Sequence, residues 1–252
     1  DVDIARDGQG LVGYLRRDQG VSHAFVSRFQ NGAFNGGNRI DTGIDAPASE
    51  VVVSSADGGR MAAAFVSEGT LFAVVYNPKT GSWTSPQVIG SPASAPSLDL
   101  SIHGAGFLTY TSSGDVRAAR LERNTFQFAG IAAALDLNQA ATAGEGNGRS
   151  RVAIGADSTA VAVWGEEGRV GARRLYRTSV STAPVDLGVA SLEGRPGGAA
   201  DLPEVSIEDD SSFAQVVFRQ VIGDQTRVMA RRMRGSKVED PVLVDGLAWG
   251  AG

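Results

Sequence analysis

An all-β fold, and within it a β-propeller of four-stranded antiparallel blades, is what this sequence predicts, on three observations. A unit of roughly fifty residues recurs five times along the chain, the spacing of a repeat architecture. Each copy joins two apolar strands through an Asp/Gly-type turn: VDIARDGQGLVGYL from Val2, VVVSSADGGRMAAAF from Val51, LDLSIHGAGFLTY from Leu98, RVAIGADSTAVAVW from Arg151 and EVSIEDDSSFAQVVF from Glu204. Helical periodicity is scarce: residues 131–143 form the one stretch able to support a turn or two of helix, and their Leu-Asp-Leu core aligns better with a strand.

The first copy shows the unit best. Strands are predicted over 2–5, 11–16, 21–29 and 39–41, four per unit, which is the count of a propeller blade. The turn positions Gly8, Gly58, Gly104, Ser158 and Asp210 mark the common register. Second strands carry an aromatic at one phase, Tyr14, Tyr110 and Trp164, with Phe65 and Phe218 near it, and these are expected to pack unit against unit. Third strands share an Ala-Arg motif, at Ala118 to Leu121, Ala172 to Leu175 and Ala230 to Met233, with alternation at period two sending their arginines outward. Fourth strands are brief apolar-plus-Asp exits, such as Ile40-Asp41 and Leu135-Asp136-Leu137. The stretches 138–150 and 188–202 read as enlarged connections, where a propeller varies its function.

Five units account for one domain, residues 1–252, with approximate blades 1–46, 47–93, 94–145, 146–200 and 201–252, and a closed five-bladed ring fits. The terminal GLAWGAG resembles the approach to a further copy, so a larger ring or an array is the alternative. The start DVDIARDG, without Met or an apolar leader region, reads as a processed form or a segment of something longer.

Composition narrows the function classes. With 42% hydrophobic and 20% charged residues the chain can build a packed core, and no apolar run approaches a membrane span. Cysteine is absent, which removes disulfides, thiolate metal sites and cysteine nucleophiles, and fits a secreted, cell-surface or periplasmic protein as well as a cytoplasmic one. A net charge of −5 argues against a nucleic-acid footprint.

The motifs that carry chemistry elsewhere read here as structure. Gly8-Gln9-Gly10-Leu11-Val12-Gly13 satisfies G-x-G-x-x-G, but a strand follows it where dinucleotide binding needs a helix. His23 and His103 fall in different parts of the repeat, on a third strand and a hairpin turn, and suggest neither a zinc site nor a triad. Asp1-Val2-Asp3 with Asp7-Gly8 lacks the spacing of a calcium loop and does not repeat. The runs Arg173, Arg174, Arg177 and Arg231, Arg232, Arg234 read as salt-bridged strand faces with Glu166, Glu167, Glu208 and Asp209 as counter-charges. No catalytic residue, metal ligand or cofactor is assigned.

The four-strand unit with its Asp-Gly first hairpin resembles bacterial β-propeller repeat proteins of the BNR-like or TolB-like kind over essentially the whole chain. Ser55-Ala56-Asp57-Gly58-Gly59 matches the opening of the sialidase Asp-box, but Arg60-Met61 stands where that family has Thr-Trp. In blade number the chain is similar to five-bladed tachylectin-like lectins, without a matching sugar motif.

The resulting expectation is a non-catalytic binding module of an exported bacterial protein, recognising a carbohydrate or a protein partner through the loops joining second to third strands. Those loops hold Arg17, Asp18, Glu68, Asp115, Glu166, Glu167 and Asp224. Alternatives are a structural segment of a larger repeat protein and a glycoside hydrolase with Asp3, Asp99 and Glu204 converging on a central channel. Oligomeric state is left open.

Overall fold

The computed structural model describes residues 1–137, 142–177, 179–180, 183–211, 213–235 and 237–246. They form five antiparallel sheets in chain order, consistent with a propeller-like repeat. Sheet 1 comprises Val2–Ile4, Gly10–Asp18 and Val21–Gln30, with the short Ala33–Phe34 and Asn38–Arg39 both pairing with the third strand. Sheet 2 runs Ala48–Ser55, Met61–Ser67, Thr70–Asn77, with Ser82–Trp83 and Gln87–Gly90 on its outer edge. Sheet 3 is Ser94–Leu100, Gly106–Ser112, Asp115–Leu121 and Phe128–Ile131. Sheet 4 is Arg151–Ile154, Thr159–Glu166, Arg169–Tyr176, Ser179–Val180 and Val185–Asp186. Sheet 5 is Ser191–Leu192, Arg195–Ile207, Ala214–Ile222, Gln225–Arg234, Lys237–Val238 and Val242–Leu243.

Turn chemistry sets the register. The first hairpins place Gly8, Gly58, Gly104 and Ser158 in the left-handed region, at φ of 83°, 76°, 79° and 68°. The second hairpins of the first four sheets turn on Gln19-Gly20, Glu68-Gly69, Ser113-Gly114 and Glu167-Gly168, both residues of each pair having positive φ. That is the signature of a type I′ turn, whose twist matches the strands it joins.

Sheets pack face to face in succession, and four buried clusters mark the four interfaces. At each one the expected aromatic is inserted against the preceding sheet. Phe65 lies in the cluster with Leu11, Ala24 and Val26, Tyr110 with Ala62, Ala64 and Ala73, Trp164 with Phe107 and Ala118, and Phe218 with Val163 and Ala172. Small residues make room for these rings. A Cβ on Gly90 would stand 2.7 Å from the Tyr110 ring, and one on Gly171 would stand 2.6 Å from Trp164. Sheets 2, 3 and 4 are covered on both faces, so the second strands Met61–Ser67 and Thr159–Glu166 are buried almost throughout. Ala214–Ile222 in sheet 5 alternates buried with more exposed positions, as a strand does when only one face is covered.

The fourth-strand exits are found, with a change in the third copy, where Phe128–Ile131 is the strand and Leu135 follows it. Their common feature is one hydrogen bond to the third strand, from the N–H of Ile40, Leu135, Leu187 and Val244 to the carbonyls of Ala24, Val116, Val170 and Val228. Part of the connection expected at 138–150, and most of GLAWGAG, lie outside the described residues.

One expectation needs correction. The third-strand arginines do not all face outward. Arg120 is buried, and Arg173, Arg174 and Arg231 are half-buried, donating to main-chain carbonyls of neighbouring sheets: Arg173 to Ala134 and Leu135, Arg174 to Met233 and Gly235, Arg231 to Leu187. A guanidinium presents five donors in a fixed fork, so it can staple two carbonyls where a lysine would make a point contact. His23 lies on the third strand, as expected; it is buried with Nδ1 2.8 Å from Asp41 Oδ2, and Asp41 also accepts from the N–H of Ala24 and from Arg39.

Candidate axial site

The first strands of all five sheets line one cavity of about 630 Å³. Alternation along a strand turns every second side chain toward the next sheet. The paired positions are Asp1 and Asp3 in sheet 1, Val52 and Ser54 in sheet 2, Ser97 and Asp99 in sheet 3, Arg151 and Ala153 in sheet 4, and Glu204 and Ser206 in sheet 5. The match follows from their offset to the first-hairpin bonds Ala5 to Gln9, Ala56 to Arg60, Ser101 to Ala105, Gly155 to Thr159 and Glu208 to Phe213.

Polar side chains at these positions accept main-chain N–H groups of the following sheet. Asp1 accepts from Val53 at 2.9 Å and Asp3 from Ser55 at 2.6 Å. Ser54 accepts from Leu100 at 3.0 Å, Ser97 from Val152 at 3.2 Å and Asp99 from Ile154 at 2.8 Å. The inner edge of each sheet would otherwise expose a row of unpaired donors. Sheet 4 carries Ala153 at the second position, and its junction to sheet 5 uses other groups: the N–H of Ala156 donates to the Asp209 carbonyl at 3.1 Å, and Arg151 pairs with Glu204 at 2.8 Å.

Within this ladder Asp3, Ser54 and Asp99 come together. The Ser54 hydroxyl lies 3.0 Å from Asp3 Oδ2 and 3.4 Å from Asp99 Oδ1. It has one proton to give and already accepts from Leu100. Asp3 is the nearer acceptor of that proton and Asp99 the more distant one. Burial pushes the Asp99 carboxyl up to about 7, the Asp3 charge pushes the same way, and hydrogen bonds from Ile154, Leu100 and Ser54 oppose them. Burial and the Asp3 charge thus favour a neutral Asp99 below neutral pH. Asp3, Asp99 and Glu204 do share the cavity, as a channel reading expects, but Asp3 and Asp99 also hold main-chain donors.

A second polar cavity, of about 500 Å³, lies where the second hairpin of sheet 4 meets sheet 5. Arg219 donates from Nε and a terminal nitrogen to the two oxygens of Asp201, at 2.7 and 2.5 Å, and Asn147 donates to Asp201 at 3.3 Å. The Arg219 hydrogen bond holds the Asp201 carboxyl below the usual carboxylate range. Glu145, Glu167, Thr142 and Thr226 complete the polar wall.

Of the seven loop residues expected to form a binding surface, only Glu166 and Glu167 border this cavity. Glu166 is buried, accepting from the N–H of Leu137 at 2.9 Å and from the Trp164 indole at 3.2 Å. Arg17, Asp18, Glu68 and Asp224 are exposed on separate hairpins, and Asp115 pairs with Arg117. Two-residue turns cannot gather their side chains into one pocket. The residues that sequence reading passed over, Ser54, Asn147, Asp201 and Arg219, are ordinary polar residues in strands and connections, and only Ser54 sits at a repeated phase that could have marked it. Among the described residues no group of three or more His, Asp or Glu is placed to hold a metal ion, and no helix is long and apolar enough to cross a membrane.

No protein-family model and no curated protein matches this sequence. Solved structures do resemble it in fold. The polysaccharide lyase Uly1 aligns at 8% identity and a TM-score of 0.52, over 92% of this chain and 57% of the lyase. A prolyl endopeptidase aligns at 11% identity and 0.58, over 98% of this chain and 36% of its own. A putative 6-phosphogluconolactonase from Bacteroides uniformis aligns at 11% identity and 0.53, over 96% and 69%. The chain thus spans little more than half of the first of these and about a third of the second. At such identities the likeness is one of fold alone.

Proposed function

We propose that the five sheets are successive blades of a β-propeller and that the chain is a non-catalytic binding module of an exported bacterial protein, taking a carbohydrate at the rim between sheets 4 and 5. The observation that carries this reading is the Asn147–Asp201–Arg219 array, which presents an amide, a carboxylate and a guanidinium in fixed geometry on the wall of an open polar cavity. Convergent donors and acceptors of this kind suit hydroxyl-rich ligands, and a site built to pair hydroxyls rejects analogues lacking them. A non-catalytic role is supported by the axial carboxylates, which accept main-chain N–H groups and so hold blades together. The test is a glycan array probed with the wild-type chain and with Asp201→Ala: binding that the substitution abolishes supports the reading, and a protein partner is the outcome if the array stays silent.

One observation favours a second reading, a glycoside hydrolase. Asp99, with its pKa near 7, shares a cavity with Asp3 and Glu204, as a general acid beside a carboxylate would. Hydrolysis of a polysaccharide that Asp99→Asn abolishes without lowering the melting temperature would establish it.

A further inference from the structure

The faces at the two ends of the stack differ from every internal face. Val2 and Ile4, in the first strand of sheet 1, point away from sheet 2 and are each 63% exposed. The residues at the position of Val2 in sheets 2 and 4, Val53 and Val152, are 3% and 7% exposed. Tyr14 holds the phase of Phe65, Tyr110, Trp164 and Phe218, yet no sheet stands before it, and it stacks on Phe25 of its own sheet at 5.9 Å. Phe34 lies on the same face, 61% exposed, against Phe29. At the other end Val228 and Val242 are exposed on sheet 5. Among the described residues no hydrophobic cluster joins sheet 1 to sheet 5.

We propose that each end face is covered by a further four-stranded blade carried by the same polypeptide outside these 252 residues. The inference rests on reading the sheets as propeller blades. What identifies the occupant is the direction of the axial ladder: sheets 1, 2 and 3 offer side-chain acceptors forward and sheets 2, 3 and 4 offer main-chain N–H groups back, while at the junction of sheets 4 and 5 the N–H of Ala156 donates to the Asp209 carbonyl and Arg151 pairs with Glu204. Sheet 1 presents the N–H of Ile4 backward, at the phase where Ser55 meets Asp3, while the N–H of Val2 donates to the Asp1 carboxylate at 3.0 Å. Sheet 5 carries Ser206 at the phase of Asp3, while Glu204, at the phase of Asp1, pairs back with Arg151 of sheet 4. The blade before sheet 1 therefore carries Asp, Ser or a similar acceptor at the first-strand position that meets Ile4, and small residues opposite Tyr14. The blade after sheet 5 carries an aromatic in its second strand, directed at the face that holds Val217 and Val221. A second copy would offer the same two surfaces, but head-to-tail contacts between separate chains form fibres unless the rotation closes. Three solved chains that match with a TM-score above 0.5 extend beyond the part this chain covers.

The test compares the 252-residue chain with the full product of its gene by amide hydrogen exchange and by mass in solution. In the full product the amide of Ile4 should exchange on the order of a hundredfold more slowly than in the 252-residue chain, and Ile4→Asp should lower the melting temperature of the full product while leaving that of the shorter chain unchanged. Equal exchange in both proteins, a gene that encodes no further repeat, or a 252-residue dimer that protects this same amide would overturn the proposal. The amides of Ser55 and Ile154 report on the blade reading itself: if they exchange freely in both proteins, the reading of stacked blades has failed, and with it the basis of the proposal.

Discussion

Asp3 and Asp99, carried on first strands two sheets apart, meet on the hydroxyl of Ser54, at 3.0 and 3.4 Å. Three consecutive sheets are thereby tied along their first strands by one shared hydrogen-bond network. The same residues accept N–H groups of Ser55, Leu100 and Ile154, so the network satisfies inner-edge donors that no fifth strand covers.

Stability should depend on pH through Asp99. Its carboxyl titrates near 7 in the fold and near 3.9 in an unfolded chain, so the folded protein binds this proton more tightly. The contribution is complete below pH ~4 and is lost as pH rises toward 7, at about 1.4 kcal/mol per pH unit across that window. Urea unfolding of Asp99→Asn, which keeps an acceptor for Ile154, should show a flatter profile between those limits. Parallel profiles for the two proteins would contradict the assignment.

Removing the Ser54 hydroxyl leaves the buried N–H of Leu100 without its acceptor. Ser54→Ala should cost about 1–3 kcal/mol, the penalty of an unsatisfied buried donor. Ser82→Ala, at an exposed strand position, should change stability by less than ~0.5 kcal/mol. Chemical denaturation measures both.

The aromatic positions should separate by location. Trp164 is fully buried between sheets 3 and 4, and Trp164→Ala should cost about 3–5 kcal/mol. Tyr14→Ala should cost distinctly less in the 252-residue chain, because its ring faces no neighbouring sheet. Equal losses would mean that sheet 1 packs on its outer face.

Adjacent glutamates should behave differently. Glu166→Ala strips acceptors from the N–H of Leu137 and the Trp164 indole and should destabilise by about 1–3 kcal/mol. Glu167→Ala, exposed on a type I′ turn beside the rim cavity, should leave the melting temperature unchanged while weakening glycan binding. The reverse pattern in thermal melts would show that the wrong residue has been given the structural role.

The sheets were legible in the sequence because turn and strand chemistry is local. Asp-Gly turns, alternation and the recurring aromatic at Tyr14, Phe65, Tyr110, Trp164 and Phe218 each act within one unit or against its nearest neighbour. The roles of the arginines and of the inner polar residues were not legible, since Arg173 acts on carbonyls of another sheet and Asp99 is raised by burial among three sheets, beside a carboxylate ninety-six positions away in sequence. Glu166 and Glu167 read alike as loop acids, and only the direction of the side chain at the strand end distinguishes a buried acceptor from a rim residue.

The most direct measurement is a glycan array read with the wild-type chain, Asp201→Ala and Asp18→Ala, with and without EDTA. The account predicts specific binding by the wild type that Asp201→Ala loses, that Asp18→Ala keeps and that EDTA leaves intact. Silence across the array, or binding indifferent to Asp201, would contradict it.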